Sequence, residues 1–159
     1  REVSVYEDGS HGMEVLSLMA ATADGRLYGT AYKASYILLR TEDDQERPIE
    51  EANWLLAAEY ADSAGVDVIN SSLGYFDFDP PYPDYTTAQL DGRTTLISRA
   101  AAWAAEAGMV VVVSAGNSGN TATPGVSAPA DAAPALAVGA INRQGLRASF
   151  SSVGPSADG

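Results

Sequence analysis

Three glycine-containing segments carry the side chains that could do chemistry in this chain. The first contains the only histidine, His11, between Ser10 and Gly12. A neutral imidazole accepts and returns protons near neutral pH, as general acid–base catalysis requires. The other two segments, residues 70–74 and 114–120, each follow an apolar run. Taken singly each segment is weak evidence, because a histidine beside glycines is commonly a loop or capping residue and Gly-Asn-Ser-Gly also forms ordinary turns.

The apolar pattern predicts the elements that would position these segments. Helical spacing and alanine content predict helices at residues 12–23, 50–64 and 91–107. Short apolar runs predict strands at residues 34–40, 66–70, 109–113 and 135–141. This alternation predicts an α/β fold, a parallel sheet with helices on both faces. Functional residues of such sheets collect at the carboxyl ends of the strands, where the second and third segments lie.

Five sequence blocks in a fixed order resemble the subtilisin-like serine peptidases, or subtilases. In order along the chain they are His11-Gly12 with the small-residue helix after it, Gly29-Thr30-Ala31 before an apolar run, Val68 to Gly74, Ala115-Gly116-Asn117, and the blocks from Ala128 to Pro155. The resemblance covers nearly the whole chain. It implies the subtilisin-like fold and a serine endopeptidase activity.

The resemblance also implies catalytic roles for two residues. His11 matches the general base, which takes the proton of the serine nucleophile and returns it to the leaving amine. Asn117 matches the asparagine whose side-chain N–H stabilises the tetrahedral oxyanion, a contribution on the order of 3 kcal/mol in the transition state.

Five further residues are implied to bind substrate. Ala115 and Gly116 resemble one wall of the pocket for the residue before the scissile bond. Ser72, Leu73 and Gly74 resemble the other wall. This second segment is expected to pair with a polypeptide substrate in extended conformation through main-chain hydrogen bonds, which suits a broadly specific endopeptidase.

Two parts of the family's catalytic triad are not found in residues 1–159. The family's order is Asp, His, Ser, and its serine lies in a Gly-Thr-Ser block that this chain lacks. Asp8 is too close to His11, because the family's aspartate comes from a different strand. We therefore predict a single partial catalytic domain over residues 1–159, truncated at both ends and inactive by itself. The alternatives are a catalytically inactive subtilase-like domain for binding or scaffolding, and an unrelated α/β domain that cradles an anion at residues 114–120.

Residues 75–91 form a long insert after the second segment. We predict a solvated rim whose tyrosines and phenylalanines pack over the substrate cleft. No cofactor is expected. Calcium bound by the insert's aspartates, Asp77, Asp79 and Asp84, stays open as an alternative, although their spacing matches no established ligand loop.

Composition limits the partners. The net charge of −12 argues against nucleic acid and against an anionic membrane surface. The chain has no cysteine, which excludes disulfides and thiolate metal sites. The acidic surface fits either an ordinary soluble protein or a host that lives in high salt. The resemblance implies an extracellular or cell-envelope location.

The missing aspartate strand has a structural consequence. In the implied fold it would lie between the strands predicted at residues 34–40 and 66–70. Without it their backbone groups lose partners, and each buried unpaired group costs about 1–3 kcal/mol. Either these two strands pair directly, or residues 2–6 of the same or a second chain fill the gap. We expect an oligomer joined through this sheet region, with His11 displaced from its productive position relative to Asn117.

Overall fold

The structure is a computed structural model that describes residues 10–122 and 125–158. The chain divides into two compact units, Arg1–Arg40 and Thr41–Gly159. None of the described helices has the length and apolar character needed to cross a membrane.

Residues 10–40, the described part of the first unit, contain one helix and a short hairpin. Helix α1 spans His11–Ala20, and strands β1 (Thr22–Ala23) and β2 (Leu27–Tyr28) pair antiparallel. The helix ends three residues before the predicted boundary at residue 23. The reason is the turn at Gly25 (φ +70°), because it folds the chain back so that Thr22 and Ala23 pair as a strand and not as a helical turn.

Gly29 brings the hairpin against the last turn of α1. Its N–H donates to the Ala21 carbonyl at 2.8 Å, and the next two N–H groups donate to Leu18 and Met19 carbonyls. A Cβ on Gly29 would lie 2.2 Å from the Met19 carbonyl carbon and oxygen. Only glycine fits this close approach of two backbones.

The strand predicted at residues 34–40 is wrong for the described structure. Residues 35–40 have no strand pairing, and Tyr36, Ile37 and Leu39 are exposed. A run of apolar residues becomes a strand only when a second strand accepts and donates its backbone hydrogen bonds. Residues 2–6, the segment expected to fill the gap, lie outside the described residues.

The second unit contains a parallel sheet in the order β3–β4–β5. The strands span Val68–Ser71, Val110–Ser114 and Leu136–Val138. In register, Ser71 lies opposite Val113, and Ser114 lies opposite Val138. The predicted parallel α/β architecture is confirmed, with each strand boundary displaced by one to three residues.

Two helices build the core on the sheet. Helix α2 spans Ile49–Ser63 and helix α3 spans Leu96–Glu106, and their buried apolar residues join Val111 and Val113 in one hydrophobic cluster. A single turn of 3-10 helix spans Thr87–Gln89. The outward side chains of the sheet, Val68, Val110, Leu136 and Val138, stay about half exposed.

Helix α2 matches its prediction within one residue at each end, but α3 begins five residues later than predicted. The carboxylate of Asp91 accepts the N–H groups of Arg93 and Thr94 (2.9 and 2.7 Å), which makes a turn where the pattern predicted helix. Thr95 is the N-cap, and its hydroxyl accepts the Ser98 N–H at 3.2 Å.

Two buried carboxylates fix the start of α3. Glu51 accepts the Ile97 N–H at 2.9 Å and the Tyr85 hydroxyl at 2.5 Å. Asp131 accepts the Ser98 hydroxyl at 2.5 Å and the Gly92 N–H at 2.8 Å. Acidic groups at a helix N-terminus satisfy its free N–H groups and complement the helix dipole.

We expect Glu51→Ala to destabilise the protein by about 3 kcal/mol, because it leaves the Ile97 N–H and the Tyr85 hydroxyl without their acceptor. Urea denaturation followed by circular dichroism measures the change. Glu59→Ala, at an exposed position of the same helix, is the control and should lie within about 0.5 kcal/mol of wild type. Equal effects of the two substitutions would show that Glu51 does not anchor α3.

Candidate active site

The two segments that follow β3 and β4 leave the sheet side by side. Because the strands are parallel and Ser71 lies opposite Val113, Ser72 and Ala115 emerge at the same edge. The Ala115 N–H donates to the Val138 carbonyl at 2.9 Å, which continues the pairing with β5 by one residue. The structure thus brings together the two segments predicted to form the pocket walls.

The wall formed by Ser72, Leu73 and Gly74, here named the first wall, has open backbone groups. Leu73 packs against the core, and the Ser72 hydroxyl accepts a long hydrogen bond of 3.4 Å from the Asn70 side chain. Among the described residues, the backbone groups of Leu73 and Gly74 make no backbone hydrogen bond. These groups are therefore open to pair with an added strand.

Two backbone hydrogen bonds fix the end of this wall. The Tyr75 N–H donates to the Ala128 carbonyl at 2.8 Å, and the Ala128 N–H donates back to Tyr75 at 3.2 Å. Both residues are buried, Tyr75 at 1% exposure. This antiparallel bridge ties the wall to the segment that precedes β5.

Ser127 lies between the two walls. A Cβ on Gly74 would be 2.2 Å from Ser127 Oγ, and a Cβ on Gly116 would be 3.1 Å from the same oxygen. Sequence reasoning assigned this serine no role. Its signal is present only in three dimensions, because residues 74, 116 and 127 are far apart in the chain.

The wall formed by Ala115 and Gly116, here named the second wall, is fixed by hydrogen bonds to Ser152. Its N–H donates to the Gly116 carbonyl at 2.9 Å, and its hydroxyl accepts the Ser118 N–H at 3.0 Å. One residue further on, the Gly119 N–H donates to the Phe150 carbonyl at 2.9 Å. These bonds flank residue 117 on both sides.

Asn117 itself projects from this fixed loop. Its side chain is exposed, and its amide makes no hydrogen bond to any of the described residues. Gly116 before it has φ +104°, a conformation that L residues with a side chain rarely adopt. The loop thus presents a free amide from a constrained backbone.

His11 lies in the first unit, as the first residue of α1. Its side chain is exposed and makes no hydrogen bond within residues 10–40. The structure places the wall residues and Asn117 together in the second unit, and it describes His11 within the first.

Comparison with protein families matches residues 2–159 to the subtilase family. The chain belongs to the subtilase family. Subtilisin NAT of Bacillus subtilis subsp. natto is 35% identical over 161 residues, which cover 99% of this chain and 38% of that protein. Subtilisin of Bacillus pumilus is 33% identical, with 99% of this chain and 52% of that protein covered. This subtilase chain therefore spans about two fifths to one half of the length of these relatives.

Solved structures show the same fold. The prenylagaramide maturation protease PagA superposes with a TM-score of 0.71 at 24% identity, over 92% of this chain and 48% of that one. A protease-domain mutant of PatA superposes with the same TM-score, identity and coverage. The predicted subtilisin-like fold is confirmed.

The insert at residues 75–91 differs from its prediction. Tyr75 and Phe78 are core residues, and their rings stack with centroids 6.1 Å apart, whereas a solvated rim was predicted. The reason is the backbone bridge at Tyr75, because it draws the start of the insert into the core. Tyr82, further along the insert, is exposed.

Two of the three aspartates considered for calcium bind backbone groups. Asp79 accepts the Glu46 N–H at 3.2 Å, and Asp84 accepts the Phe78 N–H at 2.9 Å. Asp77 is exposed. The part of the chain that the structure describes contains no group of three potential metal ligands.

A cluster of carboxylates packs beneath Tyr75. Burial raises the pKa of Glu42 from its ordinary value of 4.5 to about 7; the charges of Glu50 and Glu46 add to the rise, and a hydrogen bond from the Tyr75 hydroxyl opposes it. The pKa values of Glu46 and Glu50 are also raised, mainly by burial. An ion pair beside this cluster joins Arg47 to Asp43.

We expect the protein to lose stability between pH 5 and pH 8. The folded pKa of Glu42 lies above its ordinary value, so the folded state binds the proton more tightly than the unfolded chain does. This contribution is complete below about pH 4.5 and is lost as the pH rises through about 7. Urea midpoints at several pH values measure the loss. Glu42→Gln should flatten the profile, and a profile unchanged by this substitution would contradict the assignment.

We expect Gly116→Ala to lower the free energy of unfolding of the protein by about 1–3 kcal/mol. This is the cost of placing a non-glycine residue in a strained backbone conformation. The new Cβ would also lie 3.0 Å from Ser152 Oγ and 3.1 Å from Ser127 Oγ. Thermal unfolding measures the loss. Gly125→Ala is the matched control, because its Cβ would meet no atom within 4 Å and its φ is not positive. A Gly116→Ala protein as stable as this control would contradict the geometry.

Proposed function

We propose that residues 1–159 are part of the catalytic domain of a serine endopeptidase. The observation that carries the proposal is the pairing of β3 with β4, which brings the open backbone of residues 73–74 beside the fixed loop that presents the Asn117 amide. An open strand edge beside an exposed donor suits an enzyme that binds an extended polypeptide and cleaves its backbone.

Asn117 is proposed to donate its side-chain N–H to the oxyanion. The charge on the substrate carbonyl oxygen grows only as the nucleophile attacks, so a donor held in advance stabilises the transition state more than the substrate. The hydrogen bonds that Gly116, Ser118 and Gly119 make to residues 150–152 support this role, because they fix the loop before substrate binds.

His11 is proposed to be the general base. It removes the proton from the serine hydroxyl as that oxygen attacks the carbonyl carbon, and it then protonates the departing amine. Its place at the first residue of α1, with an exposed side chain, is compatible with this role. The nucleophile and the aspartate are proposed to lie outside residues 1–159, so that these residues alone are inactive.

The proposal extends to the location and the partners of the protein. We infer an extracellular or cell-envelope enzyme whose partner is an extended polypeptide. The charge of −12 disfavours binding to nucleic acid or to an anionic membrane. No resident cofactor is proposed. Self-association through the edge of β3 that pairs with no described strand stays part of the proposal for isolated residues 1–159.

The proposal is tested in the longest natural gene product that contains residues 1–159. It should cleave an unfolded protein substrate and be inhibited by a fluorophosphonate. His11→Ala should abolish cleavage. Asn117→Ala should lower kcat by about 100- to 1,000-fold with little change in KM, because the lost bond forms mainly in the transition state.

Asn120→Ala is the matched control, an exposed asparagine in the same loop that has no assigned role. Isolated residues 1–159 measure the background. Wild-type kcat in the Asn117→Ala enzyme would contradict the oxyanion assignment. A full-length protein that binds peptides but neither cleaves them nor reacts with fluorophosphonate would be an inactive binding domain.

A further inference from the structure

We propose that Arg147 is a positioning residue for the oxyanion donor, because its guanidinium stabilises the turn that holds the Asn117 loop in place. The inference rests on the proposed peptidase function, in which the Asn117 side chain donates to the oxyanion. Arg147 itself contacts neither the substrate nor the reacting atoms. It acts on the rate of the reaction through the backbone that carries the Asn117 amide.

One nitrogen of the Arg147 side chain binds three backbone carbonyls. Nη1 donates to the Ser151 carbonyl at 2.6 Å and to the carbonyls of Ala148 and Ser149 at 3.3 and 3.4 Å. Three carbonyl dipoles that point at one place repel one another unless a cation lies between them, and hydrogen bonds from a charged donor are stronger than neutral ones. The guanidinium therefore stabilises residues 148–152, here named the anchor turn.

The anchor turn lies directly against the loop of residues 116–119. Three hydrogen bonds described above join the two segments. A Cβ on Gly119 would lie 2.2 and 2.6 Å from two of the three carbonyl oxygens, those of Ser151 and Ser149. It would also lie 2.8 Å from Arg147 Nη1. The guanidinium and the carbonyls that it binds are thus in contact with the loop backbone, two residues after the oxyanion donor.

The backbone of Arg147 is itself fixed by a hairpin that continues β5. Ile141 and Arg147 form an antiparallel bridge, and the Ala148 N–H donates to the Ala140 carbonyl at 2.8 Å. The Ala140 N–H donates to the Ser151 hydroxyl at 3.0 Å. The sheet therefore positions both the start of the arginine side chain and the turn to which it donates.

The Asn117 amide depends on this support. Its side chain makes no hydrogen bond to any of the described residues, so the backbone of the loop determines where the amide points. An oxyanion donor stabilises the transition state fully only when it is held in place before the charge develops. Without the Arg147 donors the anchor turn loosens, and the amide is correctly placed in a smaller fraction of the molecules. The expected result is a lower kcat.

The test uses the longest natural gene product that contains residues 1–159 and the substitution Arg147→Met, which keeps a long side chain and removes its charge and its donors. We expect kcat to fall by about tenfold, a part of the roughly 100- to 1,000-fold loss expected when the oxyanion donor is removed altogether. KM should change by less than about threefold, because the lost stabilisation belongs to the transition state. Each kcat is divided by the concentration of sites that a fluorophosphonate labels to completion, so that misfolded molecules are not counted.

A double-mutant cycle with Asn117→Ala separates positioning from a general structural role. In the Asn117→Ala enzyme no amide is left to position, so the addition of Arg147→Met should lower kcat by less than about twofold. A purely structural role would give about the same tenfold loss in both backgrounds. If Arg147→Met does not fold, Arg147→Lys replaces it, because lysine keeps a charge and donors on a shorter chain. Its smaller loss of kcat should likewise disappear in the Asn117→Ala background.

Arg143→Met is the matched control. Arg143 is an exposed arginine in the same hairpin, and its side chain makes no hydrogen bond to a described residue. This substitution should leave kcat and KM unchanged.

The outcomes separate the two proposals. Wild-type kcat in the Arg147→Met enzyme, or an equal loss of kcat with and without Asn117→Ala, overturns the role of Arg147 and leaves the peptidase proposal standing. Absence of both cleavage and fluorophosphonate labelling in the wild-type protein overturns the peptidase proposal and, with it, this inference.

Discussion

The segment after β3 and the segment before β5 are joined by two backbone hydrogen bonds between Tyr75 and Ala128. The geometry of the second unit's site depends on this bridge. The bridge fixes the position of Gly74 at the sheet edge. It also brings Ser127 close to Gly116, which follows β4. Because both bridged residues are buried, water does not compete for these hydrogen bonds. The core under Tyr75 and the site above it therefore share one fixed point.

Carboxylates carry much of the support around this point. Glu51 and Asp131 accept hydrogen bonds at the start of α3, and Glu50 accepts the Asp43 N–H at 2.7 Å. A buried carboxylate is tolerated when donors satisfy its oxygens, and here backbone N–H groups and the Tyr85 and Ser98 hydroxyls supply these donors. The acidic composition is thus not confined to a solvated surface. Some of the acidic side chains accept backbone N–H groups at the ends of helices and loops.

The sequence predicted the order of elements better than their ends. Helix α2 and strands β3 and β4 were placed within one or two residues, because their apolar periodicity reflects one continuous core. The start of α3 was missed because Asp91 forms a turn through its side chain, which hydrophobic periodicity does not report. The strand at residues 34–40 failed for another reason: pairing is a property of two segments, and an apolar run specifies only one.

Some residues of the site were predicted from the sequence, and others were not. The two wall segments and Asn117 were singled out by resemblance, and the structure brings them together at one sheet edge. Ser127 and Ser152 were missed, because a serine's importance here comes from which distant backbone it touches. No spacing rule along the chain encodes such an approach.

The contact between Gly74 and Ser127 has a consequence for how this site changes during evolution. A Cβ at position 74 would meet Ser127 Oγ at 2.2 Å and Ser127 Cβ at 3.2 Å, but the next atom, the Ala128 carbonyl oxygen, is 3.8 Å away. Alanine at position 74 therefore requires the Ser127 hydroxyl to rotate away, whereas alanine or glycine at position 127 removes the closest contact. A lineage that changes position 127 first reaches the double variant without this clash. The two positions are thus coupled in the order of their substitution as well as in identity.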